Sequence, residues 1–227
     1  MAFRKKTVST EWSDNLAYVI GVIAADGNLS PDLRHLSICS KDLEMLENCK
    51  ICLGITNKIG RKSRGGEIEK KYHTLQFGDI HFFEFLLSIG LTPKKSKTLG
   101  PLQIPGKYFA HFLRGCIDGD GSISILAHPE SIQPQYKIRL YSASKAFLEW
   151  VLISSVHIFG LKGGSISSMD RSSIHTLTFG KHDSLMIIKS IYLENVICLS
   201  RKKAVAMQMT GQIGRVAQLA RRASLRN

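Results

Sequence analysis

One nine-residue stretch of this chain occurs twice. Val19-Ile20-Gly21-Val22-Ile23-Ala24-Ala25-Asp26-Gly27 aligns without a gap on Leu113-Arg114-Gly115-Cys116-Ile117-Asp118-Gly119-Asp120-Gly121, sharing the glycine, the isoleucine and the closing Asp-Gly. Two further pairs follow in the same order. Ser40-Lys41 answers Ser144-Lys145, each opening an amphipathic helical run, and Tyr72-His73-Thr74-Leu75-Gln76-Phe77-Gly78 answers Ile174-His175-Thr176-Leu177-Thr178-Phe179-Gly180. Three matches in one order make a duplication, so the chain should fold as two copies of one unit.

Each copy carries the same succession of signals. Leu16, Ile20 and Ile23, like Phe109, Phe112, Cys116 and Ile117, stand at helical spacing. Short alternating runs follow, His35–Cys39 and Tyr136–Tyr141, in which Leu36 and Ile38, or Ile138 and Leu140, face a core while their neighbours face outward. Next come a helix from about Lys41 or Lys145, a glycine-rich hairpin region around 61–66 or 162–164, a strand and another helix. The expectation is an α+β protein that runs αββαββα twice. Its first repeat, with an N-terminal extension, covers residues 1–91, and a proline-interrupted linker covers 92–105. The second repeat covers 106–203 and a basic tail 204–227, expected as a helix on nucleic acid or an appendage without a fold of its own.

Composition narrows the class. The chain has 227 residues and is 44% hydrophobic, enough for a substantial core. Its 31 Lys and Arg against 18 Asp and Glu leave a formal charge of +13, which favours a polyanion as partner. Five cysteines without paired spacing argue against a secreted disulfide framework and for a reducing compartment, a bacterial cytoplasm or an organelle interior. The lone Cys49-Lys50-Ile51-Cys52 lacks a second ligand pair for zinc, so its thiols are read as helix packing. Arg4-Lys5-Lys6 before an apolar run imitates a signal peptide, but the run has its second copy in mid-chain. No apolar run reaches the length of a membrane span.

The end of the second copy, Asp118-Gly119-Asp120-Gly121, is a helix stop loaded with negative charge. A helix C-terminus is already negative, so carboxylates there point to a cation. With V-I-G-V-I-A-A-D-G and L-R-G-C-I-D-G-D-G heading two matching series, residues 12–203 resemble the LAGLIDADG homing endonucleases in their single-chain, two-repeat form. The physics of the signature agrees. Gly21 and Gly115 fall in mid-helix, where glycine costs about 1 kcal/mol relative to alanine. That cost makes sense where two helices approach backbone to backbone, with Ala24, Ala25 and Gly119 extending the small face. Packed side by side, such helices bring Asp26 and Asp120 together with two helix-terminal carbonyls, a cluster of hard oxygens suited to Mg²⁺.

The resemblance implies a fold with two curved antiparallel sheets forming a saddle over double-stranded DNA, and cleavage of one phosphodiester per strand in a long pseudo-palindromic target. It implies metal binding by Asp26 and Asp120, assisted by the carbonyls of Ala25 and Gly119, with Mg²⁺ or Mn²⁺ active and Ca²⁺ a non-activating substitute. It also places basic residues near the end of each repeat. Lys95 and Lys202 are the candidates there, with Lys97 a neighbour in the same run. Asp118, which has Ala24 as its counterpart, receives no symmetric catalytic role and is read as a helix cap or a solvent ligand. By alternation the outward residues for the major groove are Asn28, Ser30, His35, Ser37, Tyr72, Gln76, Ser122, Ser124, Lys137, Arg139, Tyr141, Ser165, Ser167 and Thr178. The hairpin basics Arg61, Lys62, Arg64, Lys70, Lys71 and Arg171 suit phosphates. The expected agent is a monomer with internal pseudo-twofold symmetry, intron-encoded or free-standing. The alternatives are an RNA-binding intron maturase of the same fold and a DNA-binding protein without catalysis.

Overall fold

A computed structural model describes residues 7–63, 69–128, 131–168 and 173–211. The first repeat runs α1 (Asp14–Asp26), β1 (Gly27–Leu29), β2 (His35–Ser40), α2 (Leu43–Leu53), β3 (Ile59–Lys62), β4 (Tyr72–Gly78) and α3 (Ile80–Ser88). The second runs α4 (Phe109–Asp120), β5 (Gly121–His128), β6 (Ser131–Ser142), α5 (Lys145–Phe159), β7 (Ser165–Ser168), β8 (His175–Phe179) and α6 (Lys181–Ile191), and α7 (Ser200–Met209) follows. This is the αββαββα series twice. Each repeat forms one four-stranded antiparallel sheet, ordered β1-β2-β4-β3 and β5-β6-β8-β7, so the duplication holds strand for strand. No helix among the described residues is long and apolar enough to cross a membrane.

Helix α1 starts where Ser13 accepts the Leu16 N–H at 3.1 Å, an N-cap that satisfies one of the orphan donors of the first turn. From Leu16 to Ala24 every residue of α1 is buried, and α4 is buried from Phe112 to Asp118. Helices buried on all sides belong to the middle of a protein. They meet at their glycines. A Cβ on Gly21 would stand 2.1 Å from the Phe112 carbonyl oxygen and 3.0 Å from the Gly115 Cα, and a Cβ on Gly115 would stand 2.0 Å from the Tyr18 carbonyl oxygen. Any side chain at either position would push the helices apart.

Strand register fixes which faces look inward. Leu36 pairs with Phe77 and Ile38 with Leu75, while Ile138 pairs with Phe179 and Leu140 with Leu177, all of them buried. The same ladders correct one sequence alignment. Ser40 pairs with His73 and Ser142 with His175, and both serines accept the N–H of the residue two ahead, Asp42 and Ser144. Ser40 therefore corresponds to Ser142, not Ser144, and α2 begins at Leu43 behind Asp42 rather than at Lys41. The glycines of 162–164 also differ from their expected place. They lie between α5 and β7, where Lys162 and Gly163 donate their N–H groups to the buried Asp183, and not in a hairpin.

The repeats are tied together outside the glycine seam. Ser144 donates to the carbonyl of Leu99 in the connecting segment and accepts from Phe147 N–H, so the cap of α5 also holds the linker. Trp12 stacks on Tyr108 at 5.9 Å, and the Tyr108 hydroxyl donates to the Trp12 carbonyl at 2.8 Å. Helix α7 spans residues 203 and 204 without a break, and its start is clamped to the first repeat: Arg201 makes two hydrogen bonds to Asp42, and Ser200 N–H donates to Glu44 at 3.0 Å.

Candidate active site

Asp26 and Asp120 are the last residues of α1 and α4. Contacts across the seam advance together, Gly21 against Gly115 and Ala25 against Gly119, so the helices run parallel and end side by side. A Cβ added to Gly119 would lie 2.6 Å from the Ala25 Cβ and 3.4 Å from Asp26 Oδ2. The Asp26 carboxylate thus stands against the final turn of α4, which closes in Asp120.

Two lysines approach this point from different elements, and both are buried. Lys95 lies on the 3₁₀ turn Lys95–Lys97, set by Lys94 in the left-handed region at φ +57°. Burial lowers the Lys95 ammonium to about 8, against the opposing pull of Asp120 and then Asp26. Among the described residues its ammonium donates no hydrogen bond, and it lines a cavity of about 350 Å³ together with Ala24, Ala25, Ser96, Cys116, Asp120 and Tyr141. Lys202, in the first turn of α7, is lowered to about 8 as well, chiefly by burial. Its ammonium is engaged differently. It donates to the carbonyls of Ile117, which also accepts the Gly121 N–H that closes α4, of Asp118 (2.9 Å) and of Gly121 (2.9 Å), the first residue of β5. Lys97 is exposed.

Asp118 is neither a helix cap nor a solvent ligand. It is 1% exposed and accepts from the Tyr18 hydroxyl at 3.0 Å, the Tyr192 hydroxyl at 3.3 Å and the Leu199 N–H at 2.8 Å. Burial pushes its carboxyl up, and these donors together with the Lys202 charge pull it back. Beside it the buried Arg114 donates to the carbonyls of Ile191 and Ile197 and lies over the Tyr18 ring. This network joins α1, α4, α6 and the start of α7, and it sets the turn from which Lys202 reaches back. The departure of Asp118 from the symmetric pattern was visible in the sequence, but its partners were not.

Among the described residues no three His, Cys, Asp or Glu side chains gather into a cage. What stands together is two carboxylates at helix ends rich in backbone carbonyls, all hard oxygens. Mg²⁺ suits such a site, because it commonly takes one or two carboxylates, keeps several waters and completes its shell with substrate phosphate oxygens. Asp26, Asp120 and the Ala25 and Gly119 carbonyls fit it in kind.

The outward residues fall on one face of each sheet. In the first, Asn28 pairs with Ser37 and Ser37 with Gln76, in line with His35, and Tyr72 pairs with Lys62; Ser30 follows β1 in the same alternation. In the second, Ser122, Arg139, Thr178 and Ser165 form one row, Ser124 and Lys137 pair, and Tyr141 stands in a row that ends at Ser167. Side chains interlock along this face: Arg139 donates to Ser124 at 3.3 Å. Alternation alone would also have found Cys39 and Thr74, hydrogen-bonded at 3.3 Å, and Thr176. Arg61 pairs with His73 and so takes the core-facing side of β3, at an exposed strand end. Lys70 and Lys71 are exposed in the β3–β4 connection, Lys71 bridged to Glu69 at 3.2 Å. Arg64 and Arg171 lie outside the described residues.

No family model matches the sequence, and no curated protein sequence matches it. Solved structures do match in three dimensions. The N-terminal LAGLIDADG domain of DUF199/WhiA aligns over 89% of this chain and 93% of its own, at 17% identity and a TM-score of 0.56. The chain has the LAGLIDADG fold. Two homing endonucleases with this fold align as well: I-LtrWI bound to target DNA, at 12% identity over 88% of this chain and 91% of that one with a TM-score of 0.58, and I-SmaMI bound to uncleaved DNA target in the presence of calcium ions, at 13% over 90% and 93% with a TM-score of 0.56. The helices paired at the centre of the fold are α1 and α4 in this chain.

Proposed function

We propose that the protein is a site-specific, divalent-metal-dependent endonuclease that cuts both strands of a long, imperfectly palindromic DNA duplex. One observation carries the reading: a buried ammonium, Lys95, sits in the field of two carboxylates from duplicated helices that end together. A bare binding protein has no use for such an arrangement, since burying a lysine and crowding two acids both cost stability. Phosphodiester hydrolysis does need it.

In this reading Asp26, Asp120 and the carbonyls of Ala25 and Gly119 hold Mg²⁺, which would activate water and offset charge on the leaving oxygen. Lys95 offsets phosphate charge and orders water near the acids, while Lys202 holds the turn from α4 into β5 beside them. The outward rows of the two sheets follow the major groove, where Arg139, Lys137, Asn28 and Gln76 carry donors and acceptors matched to base edges. Lys62, Lys70 and Lys71 meet phosphates. Both acids are in one chain, so one copy suffices and the active species is a monomer. The unequal rows mean that the two half-targets differ. The net charge of +13 makes binding fall steeply with salt through counterion release.

The test is cleavage of a randomised duplex library in Mg²⁺, with the cut ends recovered and sequenced. The expected result is one long consensus, lost in Asp26→Asn and Asp120→Asn while both variants still shift the selected duplex on a gel. Full cleavage by either variant overturns the metal-site reading. A duplex that is bound in sequence-specific fashion yet never cut supports binding without catalysis, and tight selection of intron RNA over DNA supports the maturase.

A further inference from the structure

The turn between β1 and β2 delivers an imidazole that is held from two sides. His35 stands in the outward row of the first sheet, three residues along β2 from Ile38, which pairs with Gly27 beside Asp26. At about 3.4 Å per residue it lies about 10 Å further from the acids than that pair. Its Nδ1 meets Asp32 Oδ2 at 2.6 Å, and Asp32 Oδ1 accepts the N–H groups of Arg34 and His35 at 3.0 Å each. These bonds, the one from the His35 ring foremost, hold the Asp32 carboxyl below the ordinary carboxylate range, so it has no proton to give. Nδ1 is therefore the donor, and Nε2 of the neutral ring is left as an acceptor. The Cδ2–Nε2 edge of the ring passes over Gly78, where an added Cβ would stand 2.9 Å from Cδ2 and 3.1 Å from Nε2. Although clasped in this way, the side chain is 42% exposed, and among the described residues its Nε2 has no hydrogen-bond partner. The second repeat places a different group here. Gly27 pairs with Ile38 as Gly121 pairs with Leu140, so His35 answers Lys137, whose ammonium can only donate. Among the described residues nothing lies within 4 Å of a Cβ on Gly180, the counterpart of Gly78.

We propose, resting on the reading of the outward rows as a DNA-binding face, that His35 reads one base with a hydrogen-bond sense fixed by Asp32, and that this sense reverses on protonation. As an acceptor, Nε2 selects a base that offers an amino hydrogen in the major groove, N4 of cytosine or N6 of adenine. At the matched position of the other half-target, Lys137 selects the O6 and N7 acceptors of guanine. In acid the imidazole takes a proton on Nε2 and becomes a donor on both nitrogens, while the ionised Asp32 keeps the ring in place. Guanine is then accepted in both halves, and the target becomes more nearly palindromic. The charged groups that face the ring are Asp32 and Arg34 from the turn, with Arg34 Nε 3.5 Å from the same point above Gly78. On β4 the next acid, Asp79, is buried and turned away, taking the N–H groups of Thr7, Val8 and Phe82. Asp32 and Gly78 act through His35 and are positioning residues.

The experiment uses the full chain in metal-free buffer, where no strand is cut, and selects bound duplexes from a randomised library at pH 8.5 and at pH 5.5. At pH 8.5 one position of the consensus should favour cytosine or adenine over guanine by about fivefold or more, as one neutral hydrogen bond allows. Its pseudo-twofold mate should carry guanine. At pH 5.5 the first position should admit guanine and the second should not change. His35→Gln carries a donor and an acceptor at every pH, so it should lose the pH response at that position alone. Asp32→Asn frees the ring to take either tautomer, and discrimination at pH 8.5 should shrink there. Gly78→Ala should shrink it too by displacing the ring, and at little cost in stability, because the new methyl meets the end of an exposed side chain rather than backbone. The same preference at both pH values in the unaltered protein, or an unchanged pH response in His35→Gln, overturns the proposal. Failure of the nuclease reading looks different: the consensus and its pH response stand, yet Mg²⁺ added to the selected duplex cuts neither strand. A chain that selects no duplex overturns both.

Discussion

The first repeat ends on a short 3₁₀ turn and the second on a ten-residue helix, although their sheets match strand for strand. The contrast begins at one signature position. Ala24 leaves open space, and it lines the cavity next to Lys95. Asp118 fills the corresponding place with a carboxylate that collects two phenols and the Leu199 N–H and so fixes α7. One copy has kept its lysine available; the other has built its lysine into the frame. A duplicated fold thus divides its labour, with symmetry retained where backbones touch and abandoned where side chains hold the ends.

The largest effect should come from the symmetric part. Gly21→Ala and Gly115→Ala each set a methyl about 2 Å from a carbonyl oxygen of the facing helix, at 2.1 and 2.0 Å, and no side-chain rotation relieves a clash with backbone. Each should cost about 3 kcal/mol or more, beyond ordinary overpacking, and the two costs should agree closely. Urea midpoints measure this. Asp118→Ala comes next, at about 3 kcal/mol, because it strands buried donors and removes the acid beside the Arg114 and Lys202 charges. Ala24→Leu at the matching position should cost less than half as much, since it meets a cavity. Equal costs at 24 and 118 would erase the contrast between the repeats.

Much of this was legible in the sequence, and for physical reasons. A glycine in mid-helix is expensive, so its appearance twice at one register announces close packing. Period-two alternation placed Asn28, Ser37, Gln76, Ser122, Arg139 and Thr178 on the outer faces because a strand has only two faces. Register was harder. Ser40 and Ser144 look alike, but only the ladder shows that Ser40 answers Ser142. Least legible was the Asp118 network, whose partners Tyr18, Tyr192 and Leu199 lie 100, 74 and 81 residues away. Local pattern carries no trace of contacts at that range. The burial of Lys95 and Lys202 was hidden likewise, since each sits in a charge run that reads as solvated.

The lysines themselves provide a smaller, signed test. Burial lowers Lys95 from 10.5 to about 8, so between those values the folded chain holds fewer protons than the unfolded one. Stability therefore rises with pH from about 8 to about 10.5, and below 8 the buried charge costs its full amount. Lys95→Met should remove that rise and be more stable than the parent at pH 7 by roughly 1–3 kcal/mol. Lys202→Met gains the same relief but takes the ammonium donor from the carbonyls of Asp118 and Gly121 and from one lone pair of Ile117, so it should come out less stable by about 1–2 kcal/mol. Thermal melts at pH 7 and pH 9.5 check both signs. Destabilisation by both substitutions would mean that Lys95 is as structural as Lys202.

The smallest effect belongs to the clamp between α7 and α2. Arg201 forks onto Asp42 at 3.1 and 2.7 Å, both partly exposed, and this bidentate bond holds the Asp42 carboxyl below its ordinary range. Arg201→Ala should cost about 0.5–1 kcal/mol, the upper end for an exposed pair with good geometry. The sign with pH follows from the lowered value. The contribution is complete above the ordinary carboxylate pKa of about 4 and is lost as pH falls through the folded one. Parent and Arg201→Ala should therefore differ in urea midpoint at pH 6 and converge near pH 2.5. Among the described residues the clamp has no counterpart on the Lys95 turn, so its removal should loosen Lys202 and spare Lys95. An unchanged difference between the two proteins at pH 6 and pH 2.5 would show that the Asp42 carboxylate is not what Arg201 holds.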